Sequence, residues 1–457
     1  MTPLTGELSV PRDDGDSVPI VLGPVLAKAG EGTIRMIEGR PGSVAKIFHP
    51  NLEGLPQKLE KVAAMVTSRP TGATQADGFT VLTWPTEMIR QNDAAVGYVM
   101  PRIDTTNAVE IHALSNPFNR SNPLAHSPQW PARANWKHLV TAAANLCVAV
   151  DVVHQADAVV GDFQERNVLV SDTCRVTLVD CDSMQFTDPA GQVHLCAVGR
   201  PDFSAPELLG QDLSTHARSR ESDLFALAVH IYLLLLAGNH PFLRGTWLGT
   251  AEQPGPMTLA KSGDWAGGRN SRLQTHPLAP PVDFLPEELR ALFACAFTSG
   301  ATDPATRPTA SQWHAALLGV DVGDCFQGVH QVPTGTRTCP WCAIELERSR
   351  RRKARISPVP QTLAAVPAPA ARTTKPAAIT GQVAASAAGG RPVGTRPAKV
   401  RPPFRATGST RRAAKPMSTS DDVGRSLYQL FLFIAVPSGI GVLILVIFVI
   451  IEVVQHI

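Results

Sequence analysis

Residues 158–182, AVVGDFQERNVLVSDTCRVTLVDCD, constrain this chain more than any other stretch. An apolar run ends in Asp162, Asn167 follows five residues later, and a second apolar run, Val176 to Val179, ends in Asp180. The pattern reads as a loop between short strands that carries two acceptors, then a hairpin that delivers a third carboxylate. Asp and Asn also populate ordinary hairpin turns, so the stretch alone admits that plainer reading. Phosphoryl transfer needs such a set: a carboxylate facing the attacking hydroxyl, and an amide oxygen plus a carboxylate holding Mg²⁺ on nucleotide phosphates.

The 457 residues leave room for more than one domain and for an ample core. A net charge of +3 hides an asymmetry, because residues 346–425 hold 17 Lys/Arg against three acidic residues, Glu347, Asp421 and Asp422. A basic segment is therefore attached to an acidic folded part. The eight cysteines are scattered apart from Cys339-Pro-Trp-Cys342, which fits reduced thiols in a cytosol better than a disulfide framework. Residues 1–20 are polar and acidic and hold no apolar run of the kind a secretory signal needs.

Residues 1–18 read as a disordered leader. Strands are expected at 20–26, 33–38, 43–48, 79–83 and 95–100. The turn Ala27-Lys28-Ala29-Gly30-Glu31-Gly32 joins the first two, and Gly30 and Gly32 allow close backbone approach. Taken alone it is a hairpin turn, as Lys46 in the third strand is, alone, a solvated lysine. Residues 56–67 read as an amphipathic helix with Leu59, Val62, Ala63 and Val66 on one face. Residues 115–131 read as a loop, and residues 136–155 as an apolar helix leading into the central stretch. Downstream lie Ala205-Pro206-Glu207, an apolar helix with Asp223 near its N-terminus, where an acceptor is favoured, and Asp303-Pro-Ala-Thr-Arg307-Pro308.

Taken in order, these features resemble a bacterial serine/threonine protein-kinase-like family. The resemblance extends to an atypical branch, through VAKIFHP, VGYVMPR, VVGDFQERN, VDCDSMQF, CAVGRPDFSAPELLG and the CPWC tail. It implies an α+β bilobal fold over residues 19–320, with a β-rich N-lobe and a helical C-lobe. It also implies ATP as phosphoryl donor, with Gly30, Gly32, Lys46, Glu60 and Met100 around the nucleotide. Glu60, or Glu53 in its place, would pair with Lys46, and Tyr98 to Pro101 would fall at the adenine-contacting hinge. Asp162 would orient the acceptor hydroxyl, and Asn167 and Asp180 would hold Mg²⁺ or Mn²⁺. Asp223 would brace the catalytic loop, and Arg307 would pair with Glu207 to anchor the C-lobe.

The chain departs from the family pattern at several positions. Ala27 and Ala29 stand at glycine positions of the phosphate loop. Gly161 replaces the arginine that in many kinases reads a phosphorylated activation loop, so activation by that route is not expected. Gln164 replaces a lysine that would contact the transferred phosphoryl, which implies slow turnover. Asp182 stands where glycine is usual. A nucleotide-binding pseudokinase acting as a membrane-tethered signalling scaffold is the alternative reading.

In the segment 321–345, Cys325, His330, Cys339 and Cys342 supply the ligand types of a closed, structural Zn²⁺ site, with free thiols as the alternative. Residues 346–425 lack apolar periodicity and read as a disordered basic linker. No aromatic platform accompanies the charge, so a nucleic-acid partner is not expected. Anionic lipid suits the basic linker better. Within 426–457, residues 427–451 are 25 positions without charge, enough to cross a bilayer. The expectation is a single-pass protein of the cell membrane whose N-terminal side is cytoplasmic and acts on protein substrates the sequence does not identify.

Overall fold

The computed structural model of the chain describes residues 7–12 and 15–356. Its first part is a sheet of seven strands: β1 (Leu8–Pro11), β2 (Ser17–Ile20), β3 (Leu22–Lys28), β4 (Gly32–Ile37), β5 (Ser43–Phe48), β6 (Glu87–Gln91) and β7 (Ala94–Pro101). Their spatial order is β2-β1-β6-β7-β5-β4-β3, and every neighbouring pair is antiparallel. Helix α1 (Leu55–Thr67) crosses between β5 and β6 with Pro56 in its first turn, where a missing N–H costs nothing.

Alternation on β5 explains its continuous apolar run. Ala45 and Ile47 face a cluster with Leu8, Val10, Ile20, Ile89 and Val99, while Val44 and Phe48 face Val62, Met88, Tyr98 and Met100. The sheet is buried on both sides at this strand. Lys46 shares the Val44/Phe48 face, so its side chain is directed under α1 and is only 2% exposed.

Three sequence expectations are corrected here. Residues 8–18 are not a leader without structure: β1 and β2 pair as a hairpin and extend the sheet beyond β6, burying Leu8, Val10 and Ile20. The strand expected at 79–83 lies at Glu87–Gln91 instead, fixed by the two-residue turn Asn92-Asp93, both left-handed (φ 48° and 67°), which is the hairpin geometry matching strand twist. Residues 79–83 cross to the other half, where Val81 accepts from Leu178 N and Thr83 N donates to the Leu178 carbonyl. Finally, the loop expected at 115–131 contains the short helix Pro117–Ser121, whereas β7 covers the strand expected at 95–100 and the connection between the two halves begins at Arg102.

The second half is mainly helical. The helix Trp136–Gln155 is capped reciprocally by Asn135 and His138. Although long and apolar enough to span a membrane, it is a core helix packed against Arg220–Leu235 and Ala310–Leu318. Helix Arg220–Leu235 is buried almost all round, and its Phe225 packs with Phe242 and Phe297, the three ring centroids 5.2–5.7 Å apart. Two antiparallel strand pairs hold the central stretch: Val168–Val170 with Val176–Leu178, and Ala158–Val159 with Gln185–Thr187.

After helix Ala310–Leu318 the chain forms a small hairpin, Val322–Asp324 with Gln331–Pro333, and then the helix Pro340–Ile356. The basic linker expected from residue 346 therefore starts as helix. Its Arg, Glu, Lys and Ala are strong helix formers, and Glu347 and Arg351 pair one turn apart at 2.7 Å. The remaining linker and the apolar run 427–451 lie outside the described residues.

Candidate functional site

The central loop is held from beneath by one carboxylate. Asp223, 1% exposed in the first turn of helix Arg220–Leu235, accepts from Val160 N at 2.7 Å and Gly161 N at 3.0 Å. His154 Nε2 lies 3.0 Å from its Oδ2. Gly161 has φ +71°, and a Cβ there would meet Cys196 Sγ at 2.8 Å, so glycine is required by both backbone and packing.

Asp162 follows, and its Oδ2 accepts from Gln164 Nε2 at 2.7 Å and from Asn167 Nδ2 at 3.2 Å. Asn167 Nδ2 also donates to the Asp162 carbonyl at 2.9 Å. With its nitrogen committed to the loop, the amide oxygen of Asn167 is the end left for a cation. Val179 N donates to the Asn167 carbonyl at 3.0 Å and so brings Asp180 beside the loop. Asp180 itself is left-handed (φ 59°), a conformation Asp tolerates better than most residues.

Lys46 reaches this pair of loops from β5. Its Nζ donates to Asp180 Oδ1 at 2.9 Å and to both oxygens of Asp182 at 2.8 Å. Asp182 is fully buried and also accepts from Tyr98 Oη at 2.7 Å, with Lys58 Nζ 3.2 Å from its Oδ2. Burial opposes the charge on Asp182, but Lys46 and Lys58 overcome it and hold the carboxyl well below its usual range. Burial likewise works against Lys46, and Asp182 and Asp180 outweigh it, so its ammonium is held more firmly than usual. Asp180 is pushed up, by burial and by the neighbouring Asp182 charge. Burial and Asp182 push the Tyr98 phenol up as well, keeping it a donor.

Glu60 does not join this cluster. It lies on the exposed side of α1, and Lys46 takes Asp182 as its carboxylate instead. The helical wheel explains the outcome: Glu60 is two positions from Val62, hence about 200° round the helix from the buried face. Lys58 precedes Val62 by four residues and so shares that face, a signal the sequence carried. Glu53 is exposed too. Gly30 has nothing within 4 Å of a would-be Cβ, whereas at Gly32 a Cβ would strike the Ile47 carbonyl. The need for glycine at 32 therefore arises from its pairing with β5. Met100 is buried on β7, beside β5 and opposite Val44.

Residues that motif reading passes over also converge here. Lys61, on α1, is 6% exposed, and burial together with Lys58 pulls its ammonium down to about 8. Arg218, 5% exposed, donates to the carbonyls of Gly161 and Val198 and so links the central loop to the segment that ends in Glu207. Arg307 forms the two-pronged pair with Glu207, 2.7 Å on each arm, and adds bonds to the Glu221 and Gly300 carbonyls.

A second cluster lies between the C-terminal hairpin and the start of the helix Pro340–Ile356. The sulfurs of Cys325, Cys339 and Cys342 and a ring nitrogen of His330 all fall within 4.8 Å of one another. His330 Nδ1 is 3.4 Å from Cys342 Sγ and 3.8 Å from Cys339 Sγ, while its Nε2 is 3.3 Å from Glu345 Oε1. A zinc tetrahedron with sulfur ligands places them about 3.8 Å apart, so this donor set fits the ion. Trp341 stacks edge-on to Phe284 at 5.8 Å and fastens the cluster to the helical half.

No family model matches the chain. It is 30% identical over 334 residues to Protein kinase YegI of Escherichia coli (strain K12), covering 71% of this chain and 48% of that protein. Shorter matches are to Rho-associated protein kinase 1 of Homo sapiens, 28% over 116 residues (25% of this chain, 8% of that one), and to cAMP-dependent protein kinase type 3 of Saccharomyces cerevisiae, 29% over 110 residues (24% and 26%). The chain thus spans about half the length of the bacterial relatives it matches. The chain is similar in sequence to bacterial and eukaryotic protein kinases, and the sheet-plus-helices architecture fits a kinase-like fold.

Proposed function

We propose that this chain is an ATP-dependent serine/threonine protein-kinase-like phosphotransferase. The observation that carries the reading is the convergence of Lys46, Asp180, Asn167 and Asp162 on one place from three separate elements. Asn167 and Asp180 would hold Mg²⁺ or Mn²⁺, which supplies charge neutralisation at the phosphates. Lys46 would hold the phosphates, and Asp162 would orient a serine or threonine hydroxyl and accept its proton. The hydroxyl oxygen bonds to the γ-phosphorus as the bond to the β–γ bridging oxygen breaks, and ADP leaves. Met100, Gly30 and Gly32 would border the nucleotide. The hairpin cluster would hold one structural Zn²⁺, with Glu345 orienting His330. The basic segment and the run 427–451 would anchor the protein in the cell membrane, the folded half facing the cytosol, beside anionic lipid and without a nucleic-acid partner.

A second reading, the pseudokinase scaffold, is favoured by Gln164. Its amide is hydrogen-bonded to the Asp162 carboxylate, where a kinase-type lysine would bring charge to the transition state. Phosphotransfer from radiolabelled ATP by the full chain separates the two. Asp162→Ala should lower transfer by roughly 10²–10⁴-fold, and Asp180→Ala should remove metal-dependent transfer. Label incorporation retained by both variants sinks the site assignment, and nucleotide binding with no transfer favours the scaffold.

A further inference from the structure

The cleft holds a further, partly buried lysine, Lys58, for which the motifs provide no role. Lys58 Nζ lies 2.7 Å from Glu31 Oε2 and 3.2 Å from Asp182 Oδ2, and Lys46 Nζ is 3.7 Å from the same Glu31 oxygen. One carboxylate oxygen is thus held between two ammonium groups. Both ammonium groups rest on Asp182, whose side chain is fully buried, whereas the Glu31 side chain is 41% exposed. Glu31 sits in the three-residue turn between β3 and β4, next to Gly30, which has open space around it. Asp182 is therefore the fixed counter-charge and Glu31 the displaceable one. The two lysines come from different elements, β5 and α1, and meet at these carboxylates and over the Phe48 ring.

An oxygen anion flanked by two ammonium groups at the phosphate end of the cleft marks a site shaped for a polyphosphate and filled by the protein's own carboxylate. We infer that Lys58 is a second phosphate-holding residue of the nucleotide site, and that Glu31 occupies its anion position until a nucleoside triphosphate displaces it. The inference rests on the kinase-like reading and deepens it. Asp182 takes over the orienting duty that the resemblance assigns to Glu60, and α1 contributes a cation to the cleft in place of an anion. Closing the β3–β4 turn over the phosphates then requires Glu31 to release both lysines.

The test is equilibrium binding of ATP, ADP and adenosine to the full chain, followed by displacement of a fluorescent ATP analogue in Mg²⁺. A charge-assisted contact is worth roughly tenfold or more in affinity. Lys58→Met should therefore weaken ATP by about that factor while leaving adenosine unchanged, and Lys58→Arg should restore most of the loss. Glu31→Gln should tighten ATP severalfold in the wild-type background and little in the Lys58→Met background. The ratio of ATP to adenosine affinity within each variant removes any loss due to folding. Equal weakening of ATP and adenosine in Lys58→Met, or an unchanged ATP affinity in Glu31→Gln, overturns the inference. If Lys46→Met loses ATP while Lys58→Met keeps it, the kinase-like reading stands and this inference falls. A wild-type chain that binds no nucleotide overturns both.

Discussion

The resemblance sets Gly161 where many kinases carry an arginine that answers a phosphate, and its surroundings explain why no such side chain is tolerated. Its positive φ and the Cys196 sulfur above it exclude any Cβ, and Arg218 brings its guanidinium to the Gly161 carbonyl from outside the loop. The partners of Arg218 are neutral carbonyls of the loop and of Val198, so this tie exists without a phosphate. Gly161→Ala should cost roughly 1–3 kcal/mol through strain and overpacking, read as a lower denaturant midpoint. His230 gives a second residue-level expectation. It is 1% exposed, donates to the Phe163 carbonyl at 3.0 Å, and burial takes its ring from an ordinary 6.5 down to about 4. Between those two pH values the unfolded chain binds a proton that the folded ring refuses. Stability is therefore full above about pH 6.5 and falls by roughly 3 kcal/mol as pH drops to 4. His230→Gln, which keeps a donor, should flatten that part of a stability-versus-pH curve. An unchanged slope would mean that other groups dominate it.

Among the elements, the C-terminal hairpin lends itself to a direct measurement. The purified full chain should carry close to one zinc, lost in Cys339→Ser and in Cys342→Ser, and Glu345→Ala should weaken the ion by roughly 10–100-fold. Because Trp341 joins this element to Phe284, chelation should also lower the thermal midpoint. Elemental analysis showing no zinc in protein prepared without chelator would remove the claim. How far the elements were legible from sequence follows local signals. Long apolar periodicity placed the helices 56–67 and 136–155 to within a residue. The strand at Glu87–Gln91 was not legible from its own composition, because Glu, Arg and Gln lie in it; its signal was the Asn92-Asp93 turn. The β1–β2 hairpin was masked by Pro, Asp and Gly around two short alternations, Leu8/Val10 and Val18/Ile20. At the site, Lys46, Asp162, Asn167 and Asp180 were legible because each sits in a motif of fixed spacing. Helical spacing showed which face Lys58 shares, but the partners of Lys58, Tyr98 and Arg218 were not legible, since they lie far away along the chain, as in the Tyr98–Asp182 bond, 84 positions apart.

For the molecule as a whole, the basic stretch and the uncharged run 427–451 predict that the full chain sediments with membranes, and that truncation after residue 425 shifts it to the soluble fraction. Lys and Arg close to a membrane surface contribute roughly 1 kcal/mol each toward anionic lipid. Protease added outside intact cells should spare the linker, and external cleavage within 346–425 would refute the orientation. The burial of Lys46 has a further consequence, for the order in which the chain can be made. All seven strands of the sheet have been synthesised once Pro101 emerges, but the two carboxylates that neutralise its inner lysine are residues 180 and 182. At about 5–20 residues per second, the ribosome needs roughly 4–16 s more to supply them. During that interval the nascent sheet must keep Lys46 in water or leave it with Glu31 as its counter-charge. The first half therefore becomes a finished structure only when the second half reaches back to it, and its maturation on the ribosome is timed by Asp182.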